Sequence, residues 1–218
     1  MSSFIKGLWS RTKKGPAVRR LDHPRDLQSG DLLQMSDSFG LPDQLRNQTF
    51  KVVGINTGQF EHSFSTTFAL QSATDDTVDL TIEEDAGRQL AAFSFAINRD
   101  VVEQLFDLEE FGSVFDDEFS TSLRLQDAAG MDSLVAEEYH QIAMGERGYF
   151  YDSDYRGSRP PDHEGVGEPF DYYCLVNDKE THGVEIEVYQ GGETDVSLTL
   201  YRDLTDIRDL WPAESESD

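Results

Sequence analysis

Apolar and polar positions alternate with a period of two along most of the chain after residue 21. Val78, Leu80 and Ile82 alternate with Asp79, Thr81 and Glu83, the pattern of a strand with one face buried and one face wet. Similar runs predict strands at 31–35, 49–56, 59–70, 78–83 and 89–97. Asn98 then stands as an N-cap for a short helix over 99–106, with Val101, Val102, Leu105 and Phe106 on one side. The second half predicts strands at 122–125, 137–144, 148–151, 170–176, 184–189 and 195–201. Asp203 is placed to cap a last helix carrying Ile207, Leu210 and Trp211, ended by Pro212.

These runs predict an α+β fold, predominantly antiparallel β, built of two similar strand-rich halves that each end in a short helix. The halves are 21–112 and 113–212, the second carrying a loop insertion at about 151–168. An offset of 106 lays Phe68, Leu70, Val78, Leu80 and Ile82 on Cys174, Val176, Val184, Ile186 and Val188. An offset of 105 lays Asn98, Val102 and Leu105 on Asp203, Ile207 and Leu210; an offset of 89 lays Phe50, Val53 and Ile55 on Tyr139, Ile142 and Met144.

The N-terminus breaks the strand pattern. As a helix, Phe4, Ile5, Leu8 and Trp9 fall on one side and Lys6, Lys13 and Lys14 opposite, before Gly15-Pro16 stops the run. A basic face opposite an apolar one suits a docking element. These seven residues are therefore the candidate partner-binding set, for a basic-tail contact with a protein complex or a weak, reversible contact with a membrane surface.

Charge sharpens this contrast. The chain has 43 acids, 18 Lys+Arg and a net charge of −25, yet residues 1–20 hold six bases and no acid. The remaining 198 residues thus carry about −31. Such a body repels nucleic-acid phosphates, so no nucleic-acid partner is expected, and it favours a basic protein partner. The acidic end, 213–218, is expected to be a disordered tail. Cys174 is the single cysteine, so no intramolecular disulfide and no Cys-rich zinc site can form. Without a signal-type or membrane-spanning apolar run, the expected location is cytoplasmic, extending to the inner membrane face if the tail docks there.

No motif specifies a reaction. The five histidines lack metal-ligand spacing, and Gly-rich stretches lack the strand-turn-helix setting of a phosphate loop. Asp152-Ser-Asp154-Tyr-Arg156-Gly157 starts like a calcium loop but puts Arg156 at a ligand position. No cofactor, metal or catalytic residue is assigned. The 151–168 segment is the best candidate for a functional loop on length alone. Glu185 and Glu187 share a strand face opposite Ile186 and Val188, and with so many acids a solvated face is the default reading. Cys174 reads as a buried small hydrophobe in Tyr172-Tyr-Cys-Leu-Val176.

The stretch Val184-Glu-Ile-Glu-Val-Tyr-Gln-Gly-Gly-Glu-Thr194, with Leu198-Thr-Leu-Tyr-Arg202 and Asp206-Ile207…Leu210-Trp211-Pro212, resembles the bacterial YjfK-like family. Leu45-Arg-Asn-Gln-Thr-Phe-Lys-Val-Val53 is similar to its N-terminal part, and the resemblance spans roughly 27–212. It implies a bacterial cytoplasmic protein with no established activity, some relatives being associated with membrane-stress proteins of the phage-shock type. The expected role is a non-enzymatic accessory or adaptor protein. The competing expectation is a small-ligand binding protein or hydrolase with its site between the two halves. A deep pocket with converging carboxylates of raised pKa favours that alternative, and a flat polar seam counts against it. A nucleic-acid mimic would need carboxylates at phosphate-like spacing, a pattern the sequence does not display.

Overall fold

The computed structural model describes residues 19–213, except 86, 117 and 162–164 and the side chain of residue 85. Among these are eleven strands and two short helices. The first segment contains β1 (Leu32–Met35), β2 (Thr49–Gln59), β3 (Phe64–Ser72), β4 (Thr77–Asp85) and β5 (Arg88–Ile97), then α1 (Arg99–Leu105) and α2 (Leu108–Gly112). The second contains β6 (Ser122–Arg124), β7 (Glu138–Tyr151), β8 (Glu168–Val176), β9 (His182–Tyr189), β10 (Thr194–Asp203) and β11 (Ile207–Trp211).

All strand pairings are antiparallel, in the order β11-β1-β2-β3-β4-β5-β10-β9-β8-β7-β6, with β2 also pairing β7. That last pairing, Thr57–Gln59 against Tyr149–Tyr151, closes eight strands into a barrel. β2–β5 and β7–β10 are each a four-strand meander; the ring joins the two last strands to each other and the two first strands to each other. β1 with β11, and β6, are wings that extend from the free lengths of β2 and β7. Both β2 and β7 carry irregularities, at Val53 in β2 and at Ile142 and Gly145 in β7. Val53 and Ile142 are both exposed, as expected when an extra residue is pushed out of the ladder.

The period-2 pattern divides the wall into two faces. Val78 and Leu80 on β4, Phe93 on β5, Leu198 and Leu200 on β10, and Val184 and Ile186 on β9 are all buried on one face. They belong to the apolar core, which also holds Leu27, Leu33, Met35 and Leu45 from the N-terminal segment, and Val102, Leu105 and Phe106 around α1. The core therefore lies outside the barrel, between its wall and the segments that wrap it. Aromatic edges seal the α-helical side: Phe106 meets Tyr139 at 6.0 Å between centroids, and Phe115 meets Tyr173 at 5.2 Å. Asn98 caps α1 as its sequence position requires, accepting from the Val101 amide at 3.0 Å.

Asp31 pins both ends of the described chain to this outer layer. It is fully buried, pairs with Arg19, and accepts from the amides of Gln28 at 2.7 Å and Ala213 at 2.8 Å. Burial alone would raise its carboxyl, but Arg19 and the two amides hold it below the usual value.

Several expectations are corrected. The last helix does not form: Asp203 caps only the 3-10 turn Leu204–Asp206, and Ile207–Trp211 is β11, paired with β1. β1 offers a partner edge for those residues, and cross-strand pairing of Leu33 with Leu210 outweighs local helix preference. The run 59–70 is not one strand, since β2 ends at Gln59 and His62 lies in the turn before β3. The runs 137–144 and 148–151 join as β7, because its irregularities absorb the break in alternation. The 106-residue offset also fails in phase for one strand. Phe68 and Leu70 are on the outer face, whereas Cys174 and Val176 pair with Glu185 and Gly183 on the inner one.

Candidate functional site

Small and polar residues make up most of the inner face, with aromatic rings at one side of it. Ser65 and Thr67 from β3, Thr81 and Glu83 from β4, Ala92 and Ser94 from β5, Glu146 from β7, Tyr172 from β8, and Glu185 and Glu187 from β9 line a single cavity of about 750 Å³. Short side chains on the first three strands leave the space, and long ones from the opposite wall project into it. β4 and β8 lie opposite each other in the eight-strand ring, yet Glu83 on β4 still raises the Cys174 thiol on β8. A wall that brings those groups within electrostatic reach is concave on this side.

Glu185 occupies the centre of the polar network. The Tyr201 hydroxyl donates to its Oε1 at 3.3 Å and lies 3.9 Å from Cys174 Sγ. Thr199 also hydrogen-bonds Glu185 and shares a 2.9 Å contact with the Ser94 hydroxyl. Burial pushes the Glu185 carboxyl up to about 7; Glu83 and Glu187 add repulsion, and the two hydroxyl partners offset only part. Asp79 and Glu83 are raised by burial, as is Glu187, although the Tyr189 hydroxyl donates to Glu187 at 2.6 Å. The Cys174 thiol is buried and pushed up to about 12, first by burial and then by Glu185. That environment makes it inert as a nucleophile.

An aromatic wall stands beside the carboxylates. Phe60 follows the end of β2 and sets its ring 5.6 Å from Tyr172 and 5.7 Å from Phe170, edge to face. Phe170 continues to Tyr189 at 5.8 Å. Gly148 makes room for this stack, since a Cβ there would lie 2.5 Å from the Phe170 ring. β3 and β4 pair only through Thr67–Gln71 and Thr77–Thr81, so the wall parts between the start of β3 and the end of β4. Arg25 and Arg156 lie at this slit. Arg25 pairs with Glu84 at 2.8 Å; Arg156 pairs with Asp154 at 2.6 Å and donates to the Arg25 carbonyl at 2.6 Å.

The structure places the expected residues as follows. Glu185 and Glu187 do share a strand face, but that face lines the cavity rather than bulk solvent. Cys174 is buried, on the inner rather than the apolar outer face. The 151–168 loop reaches the site through Arg156, whose pairing with Asp154 occupies the position a calcium ligand would need. Gly191 and Gly192 form the turn between β9 and β10. The tail residues Phe4, Ile5, Lys6, Leu8, Trp9, Lys13 and Lys14 lie outside the described residues. Sequence reasoning missed Phe60, Thr199 and Tyr201. The available signal was the run of small or polar residues on the second face of strands whose first face is apolar.

Among the described residues no group of three or more His, Cys, Asp or Glu is arranged to hold a metal ion, and no helix is long and apolar enough to cross a membrane. No protein-family model, curated protein or solved structure matches the chain.

Proposed function

We propose that this chain is a small-molecule binding protein that takes its ligand into the barrel. The observation that carries the reading is the cavity itself, lined by strands from both segments and by carboxylates raised above their ordinary range. A barrel whose only task was stability would fill its centre, because a packed apolar interior costs less than a wet one lined with half-buried charge. This barrel puts its packed core outside and keeps its centre open. The volume falls within the roughly 300–1,000 Å³ of small-ligand sites. The accessory or adaptor reading, with a basic partner and a docking tail, rests on charge and on residues 1–14. The cavity gives the binding reading more specific support.

The resemblance to the YjfK-like family brings no site residues and leaves this reading unchanged. Duplication of a four-strand unit fits the paired meanders and the irregularities at Val53 and Ile142, which the 89-residue offset aligns. In that reading the cavity is the seam between two copies.

Two-dimensional amide NMR of the full chain, titrated with a mixture of small aromatic amines, alcohols and acids, tests the binding reading. Shifts concentrated at Thr81, Ser94, Tyr172 and Glu185 are expected. Shifts scattered over the outer loops, or none at millimolar ligand, would refute it.

A further inference from the structure

Four carboxylates that line the cavity, Glu83, Glu146, Glu185 and Glu187, form no ion pair among the described residues. The two arginines at the slit do not compensate them, because Arg25 is held by Glu84 and Arg156 by Asp154. The outer layer treats a buried acid differently, giving Asp31 a guanidinium and two amides. The cavity thus carries unbalanced negative charge in a partly desolvated space, where a neutral ligand would leave it unpaired and an anion would add to it. The carboxylates are also too dispersed to surround a bare metal ion. Next to them the rings of Phe60 and Tyr172 present apolar surface and π-faces.

We infer that the ligand is a small organic cation: an amine protonated at neutral pH, its nitrogen held by Glu185 and Glu187 and its apolar body against Phe60 and Tyr172. This rests on the reading of the cavity as a ligand site. Tyr201 and Thr199 act as positioning residues, fixing the Glu185 carboxylate by hydrogen bonds.

Isothermal titration of the full chain at about pH 8 with 2-phenylethylamine, 2-phenylethanol and phenylacetate tests it, since the three probes share a body and differ in charge. The amine is expected to bind at one site, at least about tenfold tighter than the alcohol, with no heat from the acid. The double variant Glu185→Gln, Glu187→Gln, shown folded by near-ultraviolet circular dichroism, should lose about tenfold or more of the amine affinity. If the alcohol binds the wild type as tightly as the amine, the cavity is a ligand site and the charge preference is wrong. If none of the three binds, both readings fall. Amine binding that the double variant leaves intact places the amine elsewhere and overturns the inference. Should the double variant fail to fold, Glu187→Gln alone carries the same test with the same outcomes.

Discussion

Two faces of one barrel wall follow opposite rules. On β4, Val78 and Leu80 point outward and are 3% and 0% exposed, while Asp79 and Glu83 between and beyond them lie on the inner face, where water reaches them but the surrounding wall still raises their carboxyls. The outward set meets the conditions of an ordinary core, with apolar side chains in contact and little water. The inward set meets the conditions of a site: charge without counter-charge, hydroxyls in networks, and open volume. The contrast between Asp31 and Glu185 makes the same point with one functional group. Asp31 is satisfied and its carboxyl lowered; Glu185 has only hydroxyl donors and is raised to about 7. Stability is supplied by the outer layer, and the inner face gives some of it up.

The largest effect should come from emptying the outer face. Phe93 is fully buried there, and Phe93→Ala is expected to cost about 3–5 kcal/mol in denaturant unfolding. A cost below about 1 kcal/mol would mean that the outer layer is not the stabilising core. Next in size, Asp31→Asn leaves Arg19 without its carboxylate and weakens the tie to Ala213, for an expected loss of about 2–3 kcal/mol. Because the Asp31 carboxyl is lowered on folding, its contribution is present above its unfolded pKa and fades as pH falls through the folded value. The variant's deficit should therefore shrink in acid, and a deficit that grew there would contradict the assignment. The smallest effect belongs to the slit, where Arg25→Ala removes a solvent-screened pair with Glu84 and should leave stability almost unchanged in denaturant unfolding. A clear loss would show that the slit residues hold the barrel closed.

Much of the outer face was legible in the sequence, because burial of one strand face writes itself as alternation. Val78, Leu80 and Ile82 announced β4, and Asn98 announced α1. Ring closure was not legible. It depends on three residues of β2 meeting three of β7 about ninety positions later, and no local pattern encodes that meeting. The site was hidden for the same reason. Glu185 and Glu187 were visible as a pair on one face, but only closure turns that face from a solvated surface into the wall of a cavity. β11 was misread as helix because Ile207, Leu210 and Trp211 suit a helical spacing. Their partner strand lies at the far end of the chain.

The central claim is that the inner face holds charge the fold does not compensate, and Glu185 tests it most directly. Its carboxyl is raised on folding, so between about pH 4.5 and about 7 the unfolded chain loses a proton that the folded chain keeps. Ionisation then penalises the fold: no cost below about pH 4.5, a growing cost through the window, and a full cost of about 3 kcal/mol above it. Unfolding of the wild type and Glu185→Gln should be compared by denaturant titration across that range. The stability difference, wild type minus variant, is predicted to fall steadily as pH rises from about 4.5 to about 7 and to level off above. A difference that stays constant with pH, or that moves in the wild type's favour, would contradict the claim.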